Sequence, residues 1–251
     1  MGWLSELPCS TPSTFLNRES MKILGIDTSS PSGSVALLND GCVEFEKLLD
    51  GSSAFSDKLL TGVDAVLNHS KTNLNEIDGF VITTGPGSFT GLRVGVSLLK
   101  GLILATEKPF ASINTLDAYA ETVQPGPYAI CPVMDARKKQ VYTALYYSNN
   151  GQCSKNTSDQ VITPQDLCEQ INSPTAFVGN GLEVYKEIFT SSLKDNFVAD
   201  VPTKNITVAA SAGLIASRDL KNNLQYDLDQ LTINYVRPSE AELNFTGTIS
   251  K

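Results

Sequence analysis

A glycine-rich loop is the part of this sequence whose residue types could most directly bind a ligand. Gly85 and Gly87 flank a proline, and Ser88 and Thr90 follow them, between an apolar run at 80–82 and a helical pattern. Backbone N–H groups at such a strand–turn–helix junction can bind an anion. However, the spacing matches neither the dinucleotide fingerprint nor the P-loop, because Leu and Arg stand where a P-loop needs Lys and Ser or Thr. The sequence therefore favours tight packing of this loop and keeps phosphate binding as an alternative.

Asp27 is the carboxylate best placed for metal or phosphate chemistry. It stands where the first predicted strand ends, and Ser29 adds a hydroxyl two residues later. In a phosphotransferase this position could hold a metal or a phosphate, whereas in an ordinary loop the same residue forms an Asx-turn with its own backbone. Both interpretations remain open. The candidate nucleotide or phosphate loop consists of Asp27, Ser29, Gly85, Gly87, Ser88 and Thr90.

The single histidine restricts the chemistry further. His69 alone cannot build an H-E-x-x-H motif or a two-histidine metal site, and a Ser-His-Asp triad would have to use it. It follows Leu67 and Asn68 at the polar end of a predicted helix, where a solvated histidine interacts favourably with the helix dipole. We predict no catalytic residue and no metal site.

Composition limits the partners. With 251 residues and 41% hydrophobic content the chain can bury a sizeable core, and no apolar run is expected to reach the roughly 18 residues of a membrane span. A net charge of −8 predicts no strong direct binding to nucleic acid, because Lys and Arg supply most of that affinity.

Five cysteines without C-x-x-C spacing predict buried free thiols in a reducing compartment, the cytoplasm.

The helical pattern after the loop, about 90–105, is apolar nearly all round and must be buried on more than one face. Each interior glycine costs roughly 1 kcal/mol of helix propensity relative to alanine, so something must compensate. We expect another backbone to approach closely along the groove that three glycines leave, which are Gly91, Gly95 and Gly101.

Hydrophobic periodicity predicts an α/β fold with mixed sheets in two lobes. Residues 1–20 are expected to be a disordered extension, with Met21 as a candidate initiator. Residues 21–123 would form the first lobe, which begins with a three-stranded antiparallel meander, and 124–251 the second lobe and tail. The boundary is placed at the Pro- and Gly-rich run 124–127. The comparable order of elements suggests an internal repeat.

Four stretches, taken together, resemble the TsaB (YeaZ) family. They are MKILGIDTSS at 21–30, GPGSFTGLR at 85–93, the segment 135–142 that begins DAR and ends VY, and YVRP at 235–238. They occur in the family's order over about residues 21–240, and GPGSFTGLR is the most specific of them.

The resemblance implies a two-lobed actin-like, RNase H-like fold and a non-catalytic subunit. This subunit would pair with its homologue TsaD and with the ATPase TsaE for threonylcarbamoylation of adenosine 37 in tRNA. ATP and metal would belong to those partners, and the isolated chain would need no cofactor. Apart from the resemblance, a helix with an exposed apolar groove is expected to self-associate, so we predict a homodimer when the partner is missing. The contact helices would be about 56–69 and 90–105, and family members often carry a histidine where this chain has Phe55. The predicted interface residues are Leu59, Leu60, Val63, Gly91, Leu92, Gly95, Leu98, Leu99 and Leu102.

Two other classes of function remain. An ATP-dependent phosphotransferase of the actin-like superfamily would use Asp27, Ser29 and the glycine-rich loop, and stoichiometric Mg-ATP binding would support it. An M22-type peptidase homologue is disfavoured by the single histidine and the lack of a metal-ligand cluster, and bound zinc or iron would revive it.

Overall fold

A computed structural model describes residues 20–49, 55–149, 152–218 and 224–237. Nearly all of the extension predicted for residues 1–20 lies outside this range. Within the described residues the chain is an α/β fold with two mixed sheets.

The first sheet contains the predicted meander. Its strands are β1 (Lys22–Asp27), β2 (Ser34–Asn39), β3 (Cys42–Leu48), β4 (Gly79–Thr83) and β5 (Phe110–Ile113). They lie in the order β3-β2-β1-β4-β5. Strands β1, β2 and β3 are antiparallel neighbours, as predicted from the Asp40-Gly41 turn, and β1, β4 and β5 run parallel.

The second sheet is built from strands that follow residue 128. They are β6 (Ala129–Asp135), β7 (Val141–Thr143), β8 (Tyr146–Asn149), β9 (Gln152–Lys155), β10 (Gln160–Ile162), β11 (Thr175–Val178) and β12 (Phe197–Val198). The main order is β10-β7-β6-β11-β12, and β8 pairs with β6 and β9. It thus repeats the arrangement of an antiparallel hairpin beside parallel strands.

Six α-helices occur in the described residues. They are α1 (Phe55–His69), α2 (Phe89–Thr106), α3 (Thr115–Glu121), α4 (Pro164–Gln170), α5 (Asn180–Leu193) and α6 (Val208–Arg218). Helices α1 and α2 cover one face of the first sheet and α6 the other, while α4 and α5 pack on the second sheet.

Both faces of the first sheet are covered, which is why its parallel strands carry apolar residues toward both faces. Along β1, Leu24 and Ile26 belong to the core beneath α1 and α2, whereas Ile23 packs with the alanine-rich helix α6. Successive strand residues point to opposite faces, so one strand serves both cores. Each of these buried side chains contributes about 1.5–3 kcal/mol relative to an exposed position.

The predicted boundary at 124–127 falls between the two sheets in the sequence. However, two helices pack on the sheet that lies on the other side of this boundary. Leu116 of α3 packs with the second sheet, and α6 returns from the C-terminal half to the first. Glu121 of α3 joins them: it is buried and accepts two hydrogen bonds from Arg218 of α6, at 2.7 and 2.8 Å, and one from Lys204. Burial acts to raise the pKa of Glu121, but these hydrogen bonds outweigh it and lower the pKa.

Helix α2 corrects the expectation about apolar runs. Over Phe89–Thr106 it is long and apolar enough to cross a membrane by length and composition alone. A core helix passes the same test, and 33% of this stretch is buried inside the fold. Val96 and Leu99 pack against the first sheet, so the apolar composition of α2 is explained in part by its place in the core.

Candidate functional site

The carboxyl ends of three parallel strands meet at one edge of the first sheet. There Asp27 ends β1 and Thr83 ends β4, and the Thr83 hydroxyl donates a hydrogen bond to Asp27 Oδ1 at 2.6 Å. The backbone N–H of Thr84 donates to the Ile113 carbonyl, at the end of β5, at 2.9 Å. Ligands of open α/β sheets bind at this edge, so we take it as the candidate site.

Asp27 is fully buried there. Its Oδ1 also accepts the backbone N–H of Ser29 at 3.1 Å, which is the Asx-turn that the sequence left open. Its Oδ2 and the Thr28 hydroxyl have no hydrogen-bond partner among the described residues. Burial raises the pKa of Asp27, and the hydrogen bonds from Ser29 and Thr83 act in the opposite direction. Tyr119 of α3 lies in the same environment, and its pKa is raised by burial and by the charge of Asp27.

The glycine-rich loop is closed by the chain itself. The backbone N–H of Ser88 donates to the Ser29 carbonyl at 2.7 Å, and the N–H of Gly91 donates to the Ser88 side chain at 3.2 Å. A Cβ on Gly87 would lie 2.4 Å from the Ser29 carbonyl oxygen. Ser88 and Thr90 are exposed. However, residues 28–29 pack against Gly87 and Gly91, where an anion would have to approach the backbone. This geometry favours the packing interpretation over a phosphate site.

The predicted small-residue groove of α2 is likewise filled from within. A Cβ on Gly91 would lie 2.2 Å from the Thr28 carbonyl oxygen, and one on Gly95 would lie 2.2 Å from the Thr28 hydroxyl. The loop after β1 therefore approaches both glycines, with its backbone at Gly91 and with the Thr28 side chain at Gly95, which argues against a partner docking there. Gly101 differs, because a Cβ at this position would meet no atom of the described residues within 4 Å.

Most of the predicted interface is also part of this chain's own core. The buried members are Leu59, Val63, Gly91, Leu92, Gly95, Leu99 and Leu102. They pack in the first core or against the β1 loop, which argues against a partner surface at these positions. Leu60 is 50% exposed, and Leu98 packs against the first core but is only half-buried, so part of each side chain remains available. The prediction missed Leu104, which is 71% exposed. Helical periodicity could have found it, because the buried stripe that ends at Ile103 leaves Leu104 outside the sheet-facing side.

The tail that precedes Pro238 is a second missed feature. The backbone N–H of Asn234 donates to the Thr84 carbonyl at 2.8 Å, which places the tail directly over the candidate site. The Tyr235 ring packs on Phe89, with centroids 5.1 Å apart, and its hydroxyl accepts a hydrogen bond from Arg93 Nε at 3.1 Å. The Arg93 guanidinium lies 3.6 Å above the Phe89 ring. Only the motif YVRP hinted at this contact.

The second lobe has a turn that corresponds to the Asp27 turn. Asp135 ends β6, and its Oδ1 accepts the backbone N–H of Arg137 at 2.9 Å and the Tyr185 hydroxyl at 3.2 Å. Arg137, Lys138 and Lys139 follow, and all three are exposed. We call this turn open because residues 137–139, which follow Asp135, are exposed. We call the Asp27 turn closed because the residues after Asp27 are buried against the glycines of the loop and of α2.

The other groups that the sequence singled out for chemistry are His69 and possible metal ligands. His69 is exposed in the last turn of α1, as predicted, and stacks on Phe45 with ring centroids 3.8 Å apart. Among the residues that the structure describes, no group of three or more His, Cys, Asp or Glu side chains could hold a metal ion.

The cysteines follow the prediction only in part. Cys131, Cys153 and Cys168 are free thiols. Burial raises the pKa of Cys131 to about 12 and that of Cys153 to about 11, so both stay protonated and unreactive at neutral pH. Cys42 is instead disulfide-bonded, which contradicts the prediction of a free thiol at that position.

Comparison with protein families gives a consistent result. The family model for TsaD, tRNA N6-adenosine threonylcarbamoyltransferase, matches residues 50–244. The tRNA threonylcarbamoyladenosine biosynthesis protein TsaB of Bacillus subtilis is 29% identical over 226 residues, which cover 88% of this chain and 96% of that protein. The TsaB of Escherichia coli is 32% identical over 67% of this chain and 75% of its own length. A tRNA N6-adenosine threonylcarbamoyltransferase of Gluconobacter oxydans is 33% identical but matches over only 35% of its length.

Solved structures support the fold. YeaZ from Pseudomonas aeruginosa superposes with a TM-score of 0.67 at 20% identity, over 86% of this chain and 99% of that one. A second structure, described as a protein with similarity to peptidase YeaZ from Pseudomonas aeruginosa, gives a TM-score of 0.71 at 21% identity and covers 86% of this chain and all of that one. The predicted fold class is therefore confirmed.

Proposed function

This chain belongs to the TsaB (YeaZ) family, and from that premise we propose that it is a non-catalytic subunit of a tRNA threonylcarbamoyl transferase complex. It pairs with a TsaD-like homologue, a TsaE-like ATPase joins the pair, and ATP and metal belong to those partners. The complex modifies adenosine 37 of tRNA in the cytoplasm.

The observation that carries this proposal is the exposed apolar surface of α1 and α2. Leu104 is 71% exposed and Leu60 is 50% exposed, although the same helices bury other large apolar residues, such as Leu59 and Leu99, in the first core. Leu98 of α2 is half-buried. Large exposed leucines on neighbouring helices are typical of protein–protein contact surfaces. We name Leu60, Leu98, Gly101 and Leu104 the leucine surface.

The leucine surface replaces the interface predicted from sequence. It keeps the same two helices but uses their outward sides, because the inward sides pack on the sheet and on Thr28. The open space at Gly101 lets a partner's backbone come close to α2 at that point. We propose that the free chain forms a homodimer through the same surface, since an isologous contact would bury the exposed leucines when the partner is missing.

Size-exclusion chromatography with light scattering tests the proposal, on the chain alone and mixed with the TsaD-like protein of the same organism. We expect a homodimer that exchanges into a one-to-one complex. Leu104→Glu and Leu60→Glu should each prevent both assemblies, because a carboxylate in an apolar interface must be desolvated without a partner. Both positions are exposed, so circular dichroism and thermal midpoint should stay near those of the unmodified chain.

The matched control is Val184→Glu on α5, a position that is 59% exposed in the second lobe. This variant should assemble normally. The proposal is wrong if the two leucine variants pair with the TsaD-like protein as well as Val184→Glu does, or if the unmodified chain ignores that protein.

A second candidate function draws on the Asp27 site. The unpartnered Asp27 Oδ2 and Thr28 hydroxyl are the groups that a phosphotransferase would offer to a metal or a phosphate. Full burial of Asp27 and the use of the Ser88 N–H by Ser29 weigh against it. Calorimetric titration of the isolated chain with Mg-ATP separates the two functions: stoichiometric binding that Asp27→Asn abolishes would favour the phosphotransferase.

A further inference from the structure

The turn between β6 and β7 concentrates positive charge in an acidic chain. Arg137, Lys138 and Lys139 are consecutive and exposed, whereas the whole chain has a net charge of −8. All three have positive φ, at 58°, 51° and 59°. This conformation costs a residue other than glycine roughly 1–2 kcal/mol, so a run of three persists only where its surroundings hold it.

Contacts from two sides hold this turn. Besides the Asx-turn of Asp135, the N–H of Ala136 donates to the Gln140 carbonyl at 2.9 Å, and the N–H of Gln140 donates to the Arg137 carbonyl at 3.0 Å. From the tail, the Arg237 guanidinium donates to Gln140 Oε1 at 2.9 Å and to the Ala136 carbonyl. The turn therefore presents its three cations in a fixed arrangement rather than on a loose loop.

The same tail connects the turn to the aromatic contact on the first lobe. Tyr235 lies two residues before Arg237, so their Cα atoms are at most about 7 Å apart. Tyr235 is 40% exposed and lies beside Phe89 and the stacked guanidinium of Arg93. The tail thus places the Tyr235 ring between the Phe89 and Arg93 pair on α2 and the cations of the turn.

We propose that this strip, the basic turn 137–139 together with Tyr235, Phe89 and Arg93, binds single-stranded RNA. The inference rests on the proposed role in tRNA modification. Lys and Arg neutralise phosphates, and aromatic rings and guanidinium planes stack on unpaired bases. An acidic protein surface would use the cations but would not stack on the exposed part of the Tyr235 ring as an unpaired base does, so the combination favours RNA.

The overall charge sets the strength of this contact. The excess of acidic residues repels RNA from the rest of the surface, so the strip gives a local and salt-dependent contact rather than tight binding by the whole chain. This agrees with the prediction that the isolated chain does not bind nucleic acid strongly.

Fluorescence anisotropy tests the strip with a labelled, unmodified transcript of a tRNA that carries adenosine 37. The chain is titrated alone and in one-to-one mixture with the TsaD-like protein, between about 50 and 200 mM salt. The test variant is Arg137→Gln/Lys138→Gln/Lys139→Gln. We expect weaker binding and a less steep slope of log affinity against log salt, which falls by about 0.7 for each phosphate contact that the substitutions remove.

The matched control is Lys71→Gln/Lys186→Gln/Lys194→Gln, which removes the same charge at exposed positions elsewhere. It should keep the slope. Tyr235→Ala should weaken binding about tenfold and leave the slope unchanged, because it removes stacking rather than charge, and Tyr235→Phe should bind as the unmodified chain does.

The proposal is overturned if the chain does not bind the transcript at 50 mM salt, or if the turn variant and the control triple lose equal affinity. It is also overturned if inorganic phosphate or ATP at millimolar concentration displaces the RNA, which would make the turn a small-anion site. If the turn variant loses affinity for the TsaD-like protein but keeps RNA binding, the turn contacts protein instead. Light scattering on the same mixtures tests the proposed function separately. If the turn variant pairs normally with the TsaD-like protein and binds RNA as the unmodified chain does, only the proposed RNA-binding role of the strip is refuted.

Discussion

The first strand of each lobe ends in an aspartate that forms an Asx-turn, but the two turns have different surroundings. Asp27 ends β1 and Asp135 ends β6, and each carboxylate accepts the backbone N–H two residues later, at 3.1 and 2.9 Å. In the first lobe the turn is buried against α2, and its carboxylate lacks one hydrogen-bond partner among the described residues. In the second lobe the turn carries three exposed cations. The same local hydrogen bond therefore supports a packed core in one lobe and an open charged surface in the other.

The glycines that follow the next parallel strand extend the correspondence. Gly85 after β4 and Gly179 after β11 both have positive φ, at 118° and 109°. A Cβ on Gly179 would lie 2.5 Å from the Val133 carbonyl of β6, much as Gly87 meets the loop after β1. The second lobe packs its glycines against the strand itself, so its turn stays free of them. The turn is closed where the glycines contact the residues after the strand, and it is open where they contact the strand itself.

The largest effect should come from breaking the closed turn. Gly91→Ala places a Cβ 2.2 Å from the Thr28 carbonyl oxygen, so backbone must move, and we expect a loss of about 2–3 kcal/mol in the free energy of unfolding. Gly101→Ala, the same substitution in the same helix, meets open space and should stabilise by about 0.5–1 kcal/mol. Urea denaturation measures both. Equal effects at the two positions would contradict the closed packing.

A second prediction concerns the charge of Asp27. Its pKa is raised by burial above its usual value of 3.8, so the folded state binds this proton more tightly than the unfolded chain. The stability that it contributes is present below the unfolded pKa and is lost as pH rises through the folded pKa. Relative to Asp27→Asn, the unmodified chain should therefore lose stability from about pH 4 toward pH 7.

Urea denaturation at several pH values measures this difference. Thr83→Val removes a hydrogen bond that favours the ionised carboxylate, so it should raise the folded-state pKa further and extend the decline to higher pH. Parallel curves for the unmodified chain and Asp27→Asn would show that burial does not perturb this group.

The smallest effect should come from loosening the open turn. Arg237→Lys loses the forked contact with Gln140 and Ala136, because a lysine cannot donate from two fixed positions. We expect less than about 1 kcal/mol of lost stability, since the turn is exposed. Hydrogen exchange of the amides at 136–140 should become several-fold faster, whereas Lys186→Arg on α5 should leave these amides unchanged. Unaltered exchange in Arg237→Lys would mean that the tail does not hold the turn.

Local patterns predicted the elements well because they depend on neighbouring residues. The meander followed from Asp40-Gly41 between apolar runs, and the helix predicted for 90–105 is observed at Phe89–Thr106. The pattern also showed that the glycines of α2 must face something close. It could not show that Thr28, more than sixty residues earlier, is the group they face.

Burial argues against most of the predicted interface, and the sequence could not show this for the same reason. Periodicity identified two apolar helices but not which of their sides the sheet covers, so core residues such as Leu59 and Leu99 were assigned to a partner and Leu104 was overlooked. Tyr235 and Arg237 lie far along the chain from the residues they contact, and no local pattern predicts such pairs.

The sequence by itself determined the α/β elements, the absence of a second histidine and the motifs shared with the TsaB family, since these depend on residue type and short-range spacing. Only the tertiary structure decided that the glycine-rich loop is closed over Asp27, that the leucine surface rather than the glycine groove faces outward, and that the tail joins the two lobes. The physical reason is that burial and close contact are properties of segments brought together from distant parts of the chain, which the spacing within any one segment does not contain.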